Sequence, residues 1–131
     1  MPLRLWLVVG LLSVLLLAGC NNTLNPLCGS ARPAPLIGSL SPSTISFSDV
    51  QQGAVLTVNG SQFVASSVVL INGQPLSTIV ASSQQLKVTL STGVILGPGA
   101  VNVSVMTPSG NTGNVGCTSG GKSSVLVLNV N

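Results

Sequence analysis

The sequence has 131 residues, 45% of them hydrophobic, but only four Lys or Arg, one acidic residue, no His and no Tyr. One carboxylate cannot form the acid/base pair of a glycoside hydrolase, and without His neither a Ser-His-Asp nor a Cys-His set can be assembled. Three or four scattered cations are too sparse for a nucleic-acid footprint, and a multi-carboxylate calcium cage has no ligands. No catalytic, cofactor-binding or metal-binding residue is therefore expected, and the chain is read as a non-enzyme.

The chain opens Met1-Pro2-Leu3-Arg4, a short segment with one positive charge, and then runs apolar from Leu5 to Ala18, broken only by Gly10 and Ser13. That run is shorter than the roughly 20 residues a membrane-spanning helix needs. It has the proportions of the apolar region of a secretory signal. It ends in Leu17-Ala18-Gly19-Cys20. This segment resembles the lipobox of bacterial lipoproteins: a branched apolar residue, two small residues, then cysteine. The resemblance implies a signal peptide over 1–19, removed by a peptidase that the small residues admit. It also implies a diacylglyceryl group on the Cys20 thiol and further acylation of the new amino group. Two or three chains anchor stably where one is marginal. Residue 21 is Asn rather than Asp, which favours the outer membrane if the source is Gram-negative. The expected location is thus the cell envelope, with the membrane as a partner through the N-terminal lipid.

With Cys20 assigned to lipid, Cys28 and Cys117 remain. In an oxidising compartment their default state is a disulfide. Two sulfurs without His do not complete a zinc site. Removing 1–19 also removes Trp6, the only Trp, and most of the apparent hydrophobicity. The surviving charges are Arg32, Asp49, Lys87 and Lys122. The surface must be built from Ser, Thr, Asn, Gln and Gly.

Residues 20–35 are rich in Pro and Asn and read as an extended, lipidated tether. From residue 36 short β-branched runs alternate with turn residues, and no stretch keeps a helical period. Strands are expected near 36–40, with a second short piece at 44–47, then at 54–59 and at 67–72. The last of these ends in Asn72-Gly73, a type I′ hairpin signal. Further strands are expected near 76–81, at 85–90, at 100–106 and at 124–130. Leu86, Val88 and Leu90 share one face; so do Val101, Val103 and Val105, and so do Leu126, Leu128 and Val130, with Val125 and Val127 opposite. About seven short strands separated by turns predict an all-β immunoglobulin-like sandwich over 36–131.

Within that pattern Ile37-Gly38-Ser39-Leu40-Ser41-Pro42, then Gly53 through Asn59 followed by Gly60-Ser61-Gln62-Phe63, then Val69-Leu70-Ile71-Asn72-Gly73, and finally Val101 through Val105 with Thr107-Pro108-Ser109-Gly110, carry a further likeness. These segments resemble IPT/TIG domains, whose most specific stretch is a glycine, an alternating strand and Gly-x-x-Phe. The resemblance implies a fold used in surface receptors, transcription factors and accessory modules of carbohydrate-active enzymes, so it transfers fold more firmly than function. Gly60 is expected to let the chain turn sharply out of its strand, and Phe63 to plug the end of a core poor in aromatics. The sequence departs from the family in keeping one glycine before the 54–59 strand and in a long connection from about Thr107 to Ser123.

Gly116 through Ser123 matches G-x-x-x-x-G-K-[ST], the phosphate-binding loop pattern. A true loop of this kind opens a helix at its Lys, whereas the residues after Ser123 alternate as a strand, so no nucleotide is expected. The reading is a lipid-anchored module presenting a binding or scaffolding surface to a protein or glycan partner. The alternative is a carbohydrate-binding or adhesion module, disfavoured because Phe47 and Phe63 are the only aromatics of the mature chain. The candidate surfaces are the 107–123 connection and the face holding Val125 and Val127.

Overall fold

The computed structural model describes residues 32–109 and 120–131. These form, in chain order, β1 (Leu36–Ser41), β2 (Thr44–Ile45), α1 (Phe47–Gln51), β3 (Val55–Ser61), β4 (Val68–Ile71), β5 (Gln74–Pro75), β6 (Thr78–Ser82), β7 (Gln85–Thr89), β8 (Gly99–Thr107), β9 (Gly121–Lys122) and β10 (Leu126–Val130). Three of these strands are two-residue pieces, and the other seven are the seven expected from the alternation.

One sheet has the order β1-β3-β7-β6; the other has β2-β10-β8-β4-β5, with β9 added beside β8. This is the strand arrangement of an immunoglobulin-like sandwich. All pairings are antiparallel except β2 with β10, where Thr44 stands opposite Asn129 and Ile45 opposite Val130. The first strand changes sheets between β1 and β2, at the cis Ser41–Pro42 peptide.

The period-2 pattern is what closes the core. Leu56 and Val58 of β3, Leu86 and Val88 of β7, Val69 and Ile71 of β4, Val101, Val103 and Val105 of β8, and Leu128 and Val130 of β10 are all buried in one cluster. Each such side chain contributes about 1.5–3 kcal/mol by leaving water. Phe63 joins them, 4% exposed, at one end of the cluster.

Four local expectations are corrected. The piece at 44–47 is a strand only over Thr44–Ile45, because Phe47 begins α1. Ser46 caps that helix: its side chain accepts from the Asp49 amide at 3.1 Å, while Phe47 N donates to the Asn131 carbonyl. One cap and one buried residue, Val50, support a single turn that has no amphipathic repeat to announce it. Second, Gly60 does not make the turn. It lies inside β3, and the left-handed residue is Gln62, with φ 62°. Gly60 is required for space: a Cβ there would overlap the Leu36 carbonyl oxygen and stand 2.7 Å from the Phe63 ring. Third, the 124–130 strand starts at Leu126, and β9 precedes it. Met106 faces Lys122 and Val103 faces Leu126, so one extra residue bulges out between β9 and β10. The Ser123 hydroxyl closes the gap by accepting from Val105 N at 2.8 Å. Fourth, the strand placed at 76–81 runs from Thr78 to Ser82.

The hairpin signal at Asn72-Gly73 is a two-residue turn with both φ positive, 50° and 83°. The registers also fix which connections share an end. Leu36 pairs with Ser61, Asn59 with Gln85 and Val68 with Met106. The segment 32–35 that enters β1, the β3–β4 connection, the β6–β7 turn and both described ends of the β8–β9 connection therefore lie at one end. Helix α1, the 72–73 hairpin, the β7–β8 connection and Asn131 lie at the other.

Candidate functional site

Strand alternation leaves two outer faces, and each is built from the residues that the core does not take. On the β1-β3-β7-β6 face a polar row crosses three strands. Gln85 Nε2 donates to Asn59 Oδ1 at 3.3 Å, and Asn59 Nδ2 donates to Ser39 Oγ at 3.4 Å. With Gly60, Ser82 and Gln84 these amides line a recess of about 310 Å³. On the other face Val125 and Val127 are 55% and 50% exposed, as the alternation implied. Val127 stands beside Asn102 in the register, so this face mixes apolar and polar groups.

A larger open recess, about 620 Å³, lies at the α1 end among Pro42, Thr44, Asp49, Gln52, Val55 and Asn131. It holds the single acidic side chain of the protein, Asp49. That carboxylate is engaged: Asp49 Oδ2 accepts from the Ser46 hydroxyl at 2.6 Å, closing a reciprocal cap with the Asp49 N bond to Ser46 Oγ. The recess offers hydrogen-bonding groups to a ligand but no second ionisable side chain. Among the described residues no group of three or more His, Cys, Asp or Glu stands close enough to hold a metal. Sequence reasoning missed both recesses. The Ser46-Phe47-Ser48-Asp49 spacing is the one signal that could have found the larger one.

The sites expected at Cys20, Cys28 and Cys117 lie outside the described residues. Their flanks are described. Gly120 N donates to the Arg32 carbonyl at 2.6 Å, and Arg32 Nη1 donates to the Pro108 carbonyl at 3.1 Å. This clasp ties Arg32, just before β1, to both ends of the 107–123 connection. At the phosphate-loop match, Gly121–Lys122 is strand β9 and β10 follows it. The Lys therefore stands in a ladder beside Met106, not at the start of a helix.

The deciding feature is the Gly60–Phe63 corner. Gly60, beneath the Leu36 carbonyl, and Phe63, folded back onto the core, give Gly-x-x-Phe a steric meaning, and the IPT/TIG domain model matches residues 35–124 around it. The chain belongs to the IPT/TIG domain family. In this IPT/TIG domain the corner is structural, since Phe63 is buried and Gly60 has no room for a side chain. Two solved structures are similar. One is the TIG domain of human nuclear factor of activated T-cells, cytoplasmic 4, at 20% identity and TM-score 0.48 over 76% of this chain and 88% of that one. The other is an auxiliary nutrient binding protein from Bacteroides ovatus ATCC 8483, at 17% identity and TM-score 0.45 over 76% of this chain. The alignment spans 21% of the Bacteroides protein's length. No curated protein sequence matches this one.

Proposed function

We propose that the protein is a non-catalytic, lipid-anchored component of the bacterial cell envelope that presents an IPT/TIG binding or scaffolding module. Its parts are a signal peptide over 1–19, a tether over 20–35 acylated at Cys20, and the sandwich over 36–131. The outer membrane is favoured if the source is Gram-negative. The partner is a protein or a glycan, held by surface shape and neutral hydrogen bonds rather than by charge. The observation that carries the non-catalytic reading is the setting of Asp49: the one acidic side chain is held in the cap of α1, and no other ionisable side chain lines its recess. A panel of hydrolase, transferase and oxidoreductase substrates offered to the mature chain is expected to give no turnover. Turnover abolished by Asp49→Asn would overturn the reading. The mature N-terminus should carry the mass of an acylated cysteine, and a retained Met1 or an unmodified Cys20 would remove the anchor.

A Cys28–Cys117 disulfide is part of the same proposal. Cys28 lies four residues before Arg32, and Cys117 three before Gly120. The Arg32–Gly120 hydrogen bond thus leaves each sulfur within roughly 10–15 Å of a shared anchor point, given about 3.3–3.6 Å per extended residue. The carbohydrate-binding alternative finds support in the Ser39–Asn59–Gln85 row, whose amides match hydroxyl partners. A glycan array probed with the mature protein separates the two readings: binding abolished by Asn59→Ala and Gln85→Ala would establish the glycan reading.

A further inference from the structure

We propose that the tether end of the sandwich is its membrane-facing end, seated on anionic lipid headgroups through Arg32 and Lys122. This rests on the lipid-anchor reading and adds an orientation and a lipid contact to it.

Three observations converge. The tether does not swing from a loose joint. Its last residues are fixed by the Gly120–Arg32 and Arg32–Pro108 hydrogen bonds, and Pro35 is buried. The twelve steps from Cys20 to Arg32 span at most about 40 Å when fully extended. The sandwich measures roughly 30 Å along the nine residues of β8. Laying the opposite end on the membrane would commit most of that contour to a path back along the domain. Laying the tether end on it commits none.

Charge points the same way. Arg32 and Lys122 both stand at the tether end, Lys122 exposed in β9. Asp49, the only acidic side chain, lies at the far end in the α1 recess. Lys87 lies within β7, opposite Thr57 and Ile79 in the sheet. A sparsely charged protein is thus polarised along the strands, with two of the three cations beyond residue 19 at the end where the lipid emerges. Each cation near an anionic leaflet is worth up to roughly a fivefold preference. That is too little to bind a membrane unaided and enough to bias the orientation of a domain already anchored. The Asp49 recess and Leu96, 86% exposed in the β7–β8 connection, then face away from the bilayer, where a partner approaches.

The mature chain has no Trp and no Tyr, so one introduced Trp is the sole donor for energy transfer to dansyl-labelled headgroups. The chain from residue 20, with Cys20→Ser and an N-terminal hexahistidine, is captured on vesicles of phosphatidylglycerol and phosphatidylcholine containing a nickel-chelating lipid. Transfer is measured for Gln84→Trp, in the β6–β7 turn at the tether end, and for Leu96→Trp, at the opposite end. Ser83→Trp replaces the first variant should it unfold. Transfer is expected to be greater from Gln84→Trp, with the difference shrinking in high salt, on phosphatidylcholine alone and with Lys122→Gln. Equal transfer, or greater transfer from Leu96→Trp, overturns the orientation. A difference indifferent to salt, lipid charge and Lys122→Gln overturns the headgroup contact. Capture through the histidines does not depend on acylation of Cys20, so this result and the mass of the native N-terminus fail separately.

Discussion

Replacing Gly60 by Ala tests the corner on which the family motif rests. The added Cβ would overlap the Leu36 carbonyl oxygen, stand 3.0 Å from the Leu36 carbonyl carbon and 2.7 Å from Cζ of Phe63. The ring is the tip of a side chain, but Phe63 is 4% exposed and has little room to retreat. The Leu36 carbonyl is backbone, in the first residue of β1, where Leu36 pairs with Ser61 and Ile37 with Gly60. Clearing it means peeling the start of β1 from β3. Overpacking of this kind costs about 1–3 kcal/mol, and each ladder hydrogen bond lost adds about 1 kcal/mol. A total of about 3 kcal/mol is expected, or a Tm lower by roughly 12–24 °C. Urea and thermal unfolding of the chain from residue 20 with Cys20→Ser, followed by far-ultraviolet circular dichroism, reads it. Gly38→Ala is the matched control in the neighbouring strand, because its Cβ would meet only Asn59 O at an ordinary 3.6 Å. It should shift stability by no more than about 0.5 kcal/mol. Adding Phe63→Leu to Gly60→Ala should not restore stability, since the overlap with Leu36 remains. Equal effects of the two Gly→Ala changes, or a loss at Gly60 below about 1 kcal/mol, would refute the steric account.

Ser46→Ala removes the cap of α1 and should cost about 1 kcal/mol in the same unfolding assay. Asn72→Ala loses both a residue suited to φ 50° and the Asn72 Oδ1 bond that Asn102 N donates to at 3.0 Å; a loss of about 1–2 kcal/mol is expected, with Asn72→Asp milder. Cys28→Ser and Cys117→Ser should each destabilise by the same amount, up to about 4–5 kcal/mol, and the double variant by no more than either single one. Peptide mapping under non-reducing conditions that recovers both cysteines as free thiols would defeat the bridge. Val125→Thr and Val127→Thr should leave stability within about 0.5 kcal/mol, because these side chains are half exposed and face away from the core; a larger loss would mean that the outer face is packed.

Much of the fold was legible because period-2 burial leaves a plain mark. Val101, Val103 and Val105 alternate with Asn102 and Ser104, and the first three are the ones buried. The Asn72-Gly73 turn was legible for a local reason, since few residues adopt two successive positive φ angles. Helix α1 was not: one turn held by a serine cap and Val50 has too few residues to show a period. The break between β9 and β10 was hidden as well, because a one-residue bulge shifts the register without changing composition. The candidate recesses escaped for a third reason. Asn59 and Gln85 are 26 positions apart, as are no residues that a local pattern compares, and only the β3–β7 register brings them together.

By itself the sequence carried the strand pattern, the family motif and the basis of the export proposal. The cationic start, the apolar run and the small residues before Cys20 are what the proposal of export rests on, and signals of that kind are short contiguous stretches that need no fold to be read. The scarcity of ionisable groups removes whole classes of chemistry, and composition is indifferent to conformation. The Gly-x-x-Phe spacing marked the family. Tertiary structure alone decided why that spacing exists. Gly60 is needed because β1 passes over it and Phe63 turns back beneath, a clash between chain segments more than twenty residues apart that no local propensity encodes. Tertiary structure also set the polarity of the domain, with Arg32 and Lys122 at one end and Asp49 at the other. Positions distant in the chain become neighbours only when antiparallel strands return to the same end of the sandwich.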